Sequence, residues 1–251
     1  VLEVLFPEIV ALELTSQRYY EEQNLLFHTL LALKNLEKIL NHLPRKLLKY
    51  SEYLEPFLKE KKSRALMLLA ILFHDIGKPA TVTINEEGKT HFFDHDIVGE
   101  RLTKRITNRL RFSKKESDII SHLVRWHMYP HFLAKESHLT PRALNRYLRR
   151  NGELAFPLIL MAIADAEASP PIEGDSKGYV RLLDGLYDLL KEKETKPKER
   201  LITGNDLISM GLTPGPIFSK ILQEIDDLYA EGKITTKEEA LEAVKRILGQ
   251  I

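Results

Sequence analysis

The stretch LLAILFHDIGKPA, residues 68–80, sets the strongest limit on what this chain can fold into. The apolar residues Leu68 to Phe73 read as a core helix, and His74 and Asp75 stand at its end before Gly77 and Pro79 stop it. A carboxylate carried into a core destabilises by several kcal/mol unless opposite charge meets it. The fold must therefore bring a partner for Asp75 from elsewhere.

Two other apolar helices are each interrupted by one ionisable residue, His28 in NLLFHTLLAL and Asp165 in PLILMAIADAEAS. Each has an ordinary explanation alone: a core imidazole bonded to a carbonyl or hydroxyl, and a carboxylate near a helix end at Ser169, Pro170 and Pro171. Taken together, two histidines and two carboxylates on at least three apolar helices favour a shared divalent cation, which neutralises the acids and takes the imidazole lone pairs. Adjacent residues on a helical turn differ in direction by about 100°, so His74 and Asp75 can both lean to one point. Mixed nitrogen and oxygen ligands suit Fe, Mn, Co, Ni, Zn or Mg without choosing among them.

Periodicity is helical almost throughout, with apolar residues at i, i+3 and i+4 near 15–42, 64–75, 96–110, 115–127, 140–167, 178–193, 215–231 and 236–248. The expected fold is all-α. One β-hairpin is expected in TVTINEEGKTHFF, residues 81–93, where Val82 and Ile84 alternate with Thr. The charged stretch 192–204 reads as a linker, giving domains at 1–195 and 196–251. With 251 residues and 43% hydrophobic content, the chain can bury a sizeable core.

The absence of cysteine excludes disulfides and thiol catalysis and favours a reducing compartment, so a cytoplasmic location is expected. No apolar run reaches the roughly 18 residues of a membrane span, and VLEVLFPEIV lacks a basic signal-peptide start. A formal net charge of +1 gives no global pull toward nucleic acid, so such affinity must come from local clusters. The first residue is Val1, not Met, which leaves open a fragment of a longer enzyme.

The order His28, His74-Asp75, Asp165 resembles the H…HD…D signature of the HD superfamily of metal-dependent phosphohydrolases, in the HDIG form seen in HDIGKP. The segments FFDHDIVGE, LRFSKKESDIISHLVRWHM, ALNRYLRRNGELAFPLILMAIADAEA and LITGNDLISMGLTPGPIFSKIL are similar to the post-catalytic region of bacterial tRNA nucleotidyltransferase and poly(A) polymerase family proteins. The resemblance covers about residues 20–245. It implies an HD-domain helical bundle with a C-terminal helical subdomain, a divalent metal held by His28, His74, Asp75 and Asp165, and hydrolysis of a phosphate ester. Asp75 or Asp165 would also orient the attacking water. The Gly-rich loop and paired aspartates of the nucleotidyl-transfer domain are not found here, so this polypeptide is not expected to add nucleotides by itself, and an upstream domain of that kind is an open possibility.

Two further histidines match positions where some HD relatives carry extra ligands: His95, at a helix start, and His127, at a helix end. A second metal or a phosphate contact is one reading, and placement near helix termini the other. Lys78 offers charge to a substrate phosphate, or is a solvated lysine. His91, His122, His131 and His138 read as surface or structural.

RLTKRITNRLRFSKK, residues 101–115, holds seven basic residues and no acid, with Arg101, Arg105 and Arg109 on one helical face. Arg142, Arg146, Arg149 and Arg150 form a second set. A solvated face is the commoner reason for such a run, while an RNA backbone is the natural partner if it binds. Phe112 and Tyr147 are the aromatics nearest to it. In LITGNDLISMGLTPGP, Thr213 is expected to cap a helix with Pro214 at its first position.

The leading expectation is a metal-dependent phosphohydrolase acting on a nucleotide or a phosphodiester such as a 2′,3′-cyclic phosphate. The alternative is an RNA-binding C-terminal region of a nucleotidyltransferase, with a structural or vestigial metal site.

Overall fold

Apolar residues repeating every three or four positions form helices here because that spacing lets each segment bury one stripe. The structure, a computed structural model, describes residues 2–15, 24–169, 177–195 and 200–249. The expectations that fall on 16–23, Pro170, Pro171 and 196–199 lie outside the described residues.

The elements in order are α1 (Leu2–Leu5), α2 (Val10–Glu13), α3 (Leu25–Asn41), α4 (Ser51–Lys59), α5 (Lys61–Phe73), β1 (Val82–Ile84), β2 (Thr90–Phe92), α6 (His95–Arg109), α7 (Lys114–Trp126) and α8 (Met128–Lys135). Then come α9 (Pro141–Asn151), α10 (Ala155–Glu167), α11 (Lys177–Thr195), α12 (Gly204–Ser209), α13 (Pro216–Ala230) and α14 (Lys237–Leu248). The protein is all-α with one small hairpin, in which Val82 faces Phe92 and Ile84 faces Thr90. No helix among the described residues is long and apolar enough to cross a membrane.

The chain divides into two compact units, residues 1–137 with 151–183, and residues 138–150 with 184–251. In the first, α5 is the central rod: Met67, Ala70, Ile71 and Phe73 are buried, with α3 on one side, α7 on another, α10 against α3, and α6 against α7. In the second, Ile202, Leu207, Ile221, Ile225, Ile234, Ala240 and Val244 form the core. Residues 138–150 group with these C-terminal helices through ion pairs: Arg149 grips the buried Asp227 through two bonds of 2.8 and 3.0 Å, and Arg142 holds Glu224 at 2.7 Å. Two of the four arginines in the second basic set are thus neutralised inside their own unit, and Tyr147 is fully buried, so it cannot stack on a base.

Several local expectations are corrected. The stretch 140–167 is two helices parted by a 3-10 turn at Gly152–Leu154. Helices α4 and α8 lie outside the expected helical stretches; each contains a proline, and Pro130 falls in the first turn of α8, where no backbone N–H is needed. The N-cap before α13 is Gly215 with Pro216 at the first position, two residues past the expected Thr213 and Pro214.

The end of α5 meets the start of α6 with no room for a side chain. A Cβ on Gly77 would lie 2.0 Å from the His95 carbonyl oxygen and 2.7 Å from the Gly99 nitrogen. Backbone against backbone at this point sets how close His74 and Asp75 come to His95. Gly77→Ala is therefore expected to lower stability by about 1–3 kcal/mol or more, seen as a lower denaturant midpoint. An unchanged midpoint would mean that α5 and α6 do not touch there.

Candidate metal centre

Five helix termini converge in the first unit. His28 lies in the first turn of α3, whose start is fixed by Asn24 accepting the Phe27 N–H at 2.9 Å. His74 and Asp75 follow the last residue of α5, and because that helix is apolar on nearly every side, its terminal turn delivers them to the interior. His95 opens α6, His127 links α7 to α8, and Asp165 stands near the end of α10. His28, His74, Asp75 and His127 are all buried.

The side chains form two groups that meet at Asp75. His28, His74 and Asp165 make the first: Asp165 Oδ1 is 2.8 Å from His28 Nε2 and 3.4 Å from His74 Nε2. Asp75, His95 and His127 make the second: Asp75 Oδ1 is 3.7 and 3.9 Å from their Nε2 atoms, which are 3.2 Å from each other. Asp75 Oδ2 turns back to the first group, 3.3 Å from His74 Nε2 and 3.8 Å from His28 Nε2. Lys78 Nζ lies 2.7 Å from the same oxygen.

The outer edges of the rings decide what the inner edges can do. Nδ1 of His74, His95 and His127 lies 2.7, 2.8 and 2.7 Å from the carbonyl oxygens of Ile71, Phe92 and Val124, and Nδ1 of His28 lies 3.4 Å from that of Ala168. A carbonyl only accepts, so each Nδ1 carries the hydrogen and each neutral ring turns a bare Nε2 inward, the arrangement of a metal-bound histidine. His127 is held in that neutral form: burial, then the charge of His74 and His95, pushes its pKa well below the usual value. Burial opposes charge on His74 too, yet Asp75 and Asp165 outweigh it and raise its pKa to about 10. Both carboxyls are held well below the carboxylate range, against the effect of burial, chiefly by His74.

These residues fit a divalent cation. His74 Nε2 and Asp75 Oδ2 are buried without a hydrogen bond among the described residues, and Lys78 reaches Asp75 as a charge without aligning as a donor. Two ionised acids and a ring of inward nitrogens leave positive charge as the missing component, supplied either by a proton on His74 or by a cation in its place.

Every histidine and aspartate expected as a ligand is therefore in one place, with Lys78 beside them. Arg101 and Arg105 are elsewhere, exposed on α6 with no ion pair among the described residues. Arg109 is not free: both oxygens of Glu8 lie 2.9 Å from its Nη2, and Glu100 holds Lys104 at 2.6 Å, so the stripe is partly offset by acids. Sequence reasoning passed over His131 and Tyr179, which adjoin Asp165. The usable signal was the His127-x-x-x-His131 spacing, one helical turn.

The family model described as HD domain matches residues 25–169, and that described as tRNA nucleotidyltransferase domain 2, putative, matches residues 100–244. The chain is 32% identical over 68% of its length to the CC-adding tRNA nucleotidyltransferase of Thermus thermophilus, and 29% identical over 72% to the A-adding tRNA nucleotidyltransferase of Deinococcus radiodurans. It spans 38% and 41% of those two proteins. A bifunctional uridylyltransferase/uridylyl-removing enzyme of Azospirillum brasilense is 30% identical over 57% of the chain and 14% of that enzyme.

Because the two groups share Asp75, Asp75→Ala is expected to lose bound metal from both, while His95→Ala loses it from one, read as metal per protein by elemental mass spectrometry with helicity unchanged. Equal metal content in Asp75→Ala and the unaltered chain would refute the ligand assignment.

Proposed function

The chain belongs to the HD domain family, and from that premise we propose that it is a metal-dependent phosphohydrolase acting on a nucleotide or a phosphodiester such as a 2′,3′-cyclic phosphate. The observation that carries this reading is the convergence of four histidine Nε2 atoms on two ionised carboxylates at one place in the first unit. Such a site draws a divalent cation, and mere packing of a bundle has no use for it.

His28, His74, Asp75, His95, His127 and Asp165 would hold the metal. A divalent ion there would supply a lowered pKa for water and polarisation of a phosphoryl oxygen. The chain's own groups do the rest. Lys78, His95 and Asp165 are the partly exposed members, with 14, 11 and 16% of their side chains accessible, so the phosphate approaches from their side. The Lys78 ammonium offsets substrate charge there. Asp75 or Asp165, ionised, accepts a hydrogen bond from the attacking water and so orients it. The relatives named for removing uridylyl groups support hydrolysis.

A second reading has its own support: the tRNA nucleotidyltransferase domain 2 match runs over residues 100–244, and Arg101 and Arg105 within it are exposed with no ion pair among the described residues. In that reading the chain positions an RNA backbone for a nucleotidyltransferase domain. Contacts would be to phosphates, without sequence preference.

The deciding assay is hydrolysis of bis-p-nitrophenyl phosphate and 2′,3′-cyclic AMP with Mn, Ni, Co or Mg added. Metal-dependent turnover that falls at least about a hundredfold in Asp75→Ala is the expected result. Bound metal without turnover, together with tRNA binding that weakens when Arg101 and Arg105 are reversed in charge, would favour the second reading.

A further inference from the structure

His131 and Tyr179 stand against the centre but outside the ligand set. His131, one turn beyond His127 on α8, places Nε2 3.0 Å from Asp165 Oδ2, and its Nδ1 is 2.7 Å from the Tyr179 hydroxyl with the rings edge-on at 86°. The Asp165 carboxylate is thereby divided. Oδ1 faces His28 and His74, and Oδ2 faces His131.

Hydrogen placement separates His131 from the other four rings. Theirs give Nδ1–H to a carbonyl, whereas His131 Nδ1 meets a hydroxyl, which can donate. Tyr179 keeps its proton, since burial and then the nearby Asp165 charge push its pKa above the usual phenol value. With the phenol donating to Nδ1, the ring hydrogen sits on Nε2, beside the carboxylate. Nε2 is not aligned for a full hydrogen bond, and it acts on Oδ2 as a nearby N–H dipole.

The pair is built into the fold. A Cβ on Gly178 would lie 2.2 Å from the Ala134 carbonyl oxygen, and Arg181 donates to the carbonyls of Ala134 at 3.1 Å and Glu136 at 2.5 Å. The start of α11 is thus pressed on the end of α8, with Tyr179 opposite His131.

We propose that His131, oriented by Tyr179, is a positioning residue that holds Asp165 with Oδ1 turned to the cation site and Oδ2 kept out of it. The proposal rests on reading the centre as metal-binding. The carboxylate is then set before the ion arrives, which raises affinity without adding a ligand.

The test is Mn2+ titration of the full chain and of His131→Ala, His131→Gln and Tyr179→Phe, with a thermal melt of each. His131→Ala is expected to bind about 10–100-fold more weakly and Tyr179→Phe about tenfold. His131→Gln, which returns an N–H near the Nε2 position, should recover most of the loss. Equal affinity in His131→Ala and the unaltered chain, or equal losses in Ala and Gln at unchanged melting temperature, would overturn the proposal. If His131→Ala does not fold, Tyr179→Phe carries the test, since it removes only a hydroxyl: weaker binding supports the proposal and unchanged binding overturns it. An unaltered chain that takes up no Mn2+ would overturn the phosphohydrolase reading and this proposal with it.

Discussion

Two ionised carboxylates inside apolar helices are the constraint on which the rest of the first unit depends. Asp75 is withdrawn from bulk water and Asp165 largely so, and several kcal/mol is at stake unless positive charge or donors replace that solvation. The fold answers by ending α3, α5, α6, α7 and α10 at one place, so that every nearby ring and the Lys78 ammonium point to these acids. Gly77 allows the last of these approaches by removing the atom that would hold α5 and α6 apart. Packing and chemistry are thus settled by the same contacts.

What was legible in the sequence follows from this constraint. An ionisable residue inside an apolar run stands out, so His28, His74, Asp75 and Asp165 were visible without coordinates. His95 and His127 were visible as helix-end residues and through a family resemblance. His131 was not, because it lies among Met128, Tyr129, Pro130 and Phe132, with no long apolar run to contrast with, and because its meaning depends on Tyr179, 48 residues later.

The basic clusters show the opposite failure. Arg109 looked uncompensated because its acid, Glu8, precedes it by 101 residues, and Arg149 looked solvent-facing because Asp227 follows it by 78. Charge runs are read by local sequence, but ion pairs are made in space, so Arg109, Arg142 and Arg149 have partners that a local reading does not show. Helices α4 and α8, each with a proline, were also not among the expected helices. A proline counts against a helix in a sequence window, yet at the first turn of α8 it removes a donor that has no partner anyway.

The bonds from Nδ1 of His74 and His127 to carbonyls three residues earlier have a consequence for how such a chain would change over time. Those carbonyls belong to the last turns of α5 and α7, so each ring also closes the end of its own helix. A lineage that no longer needed the centre would still be selected to keep both imidazoles, because losing them frays two helices. Asp75 and Asp165 have no such second employment and, once idle, are only a burden on folding. Among descendants of this fold, the aspartates would decay first, and their persistence is the better sign of a centre still at work.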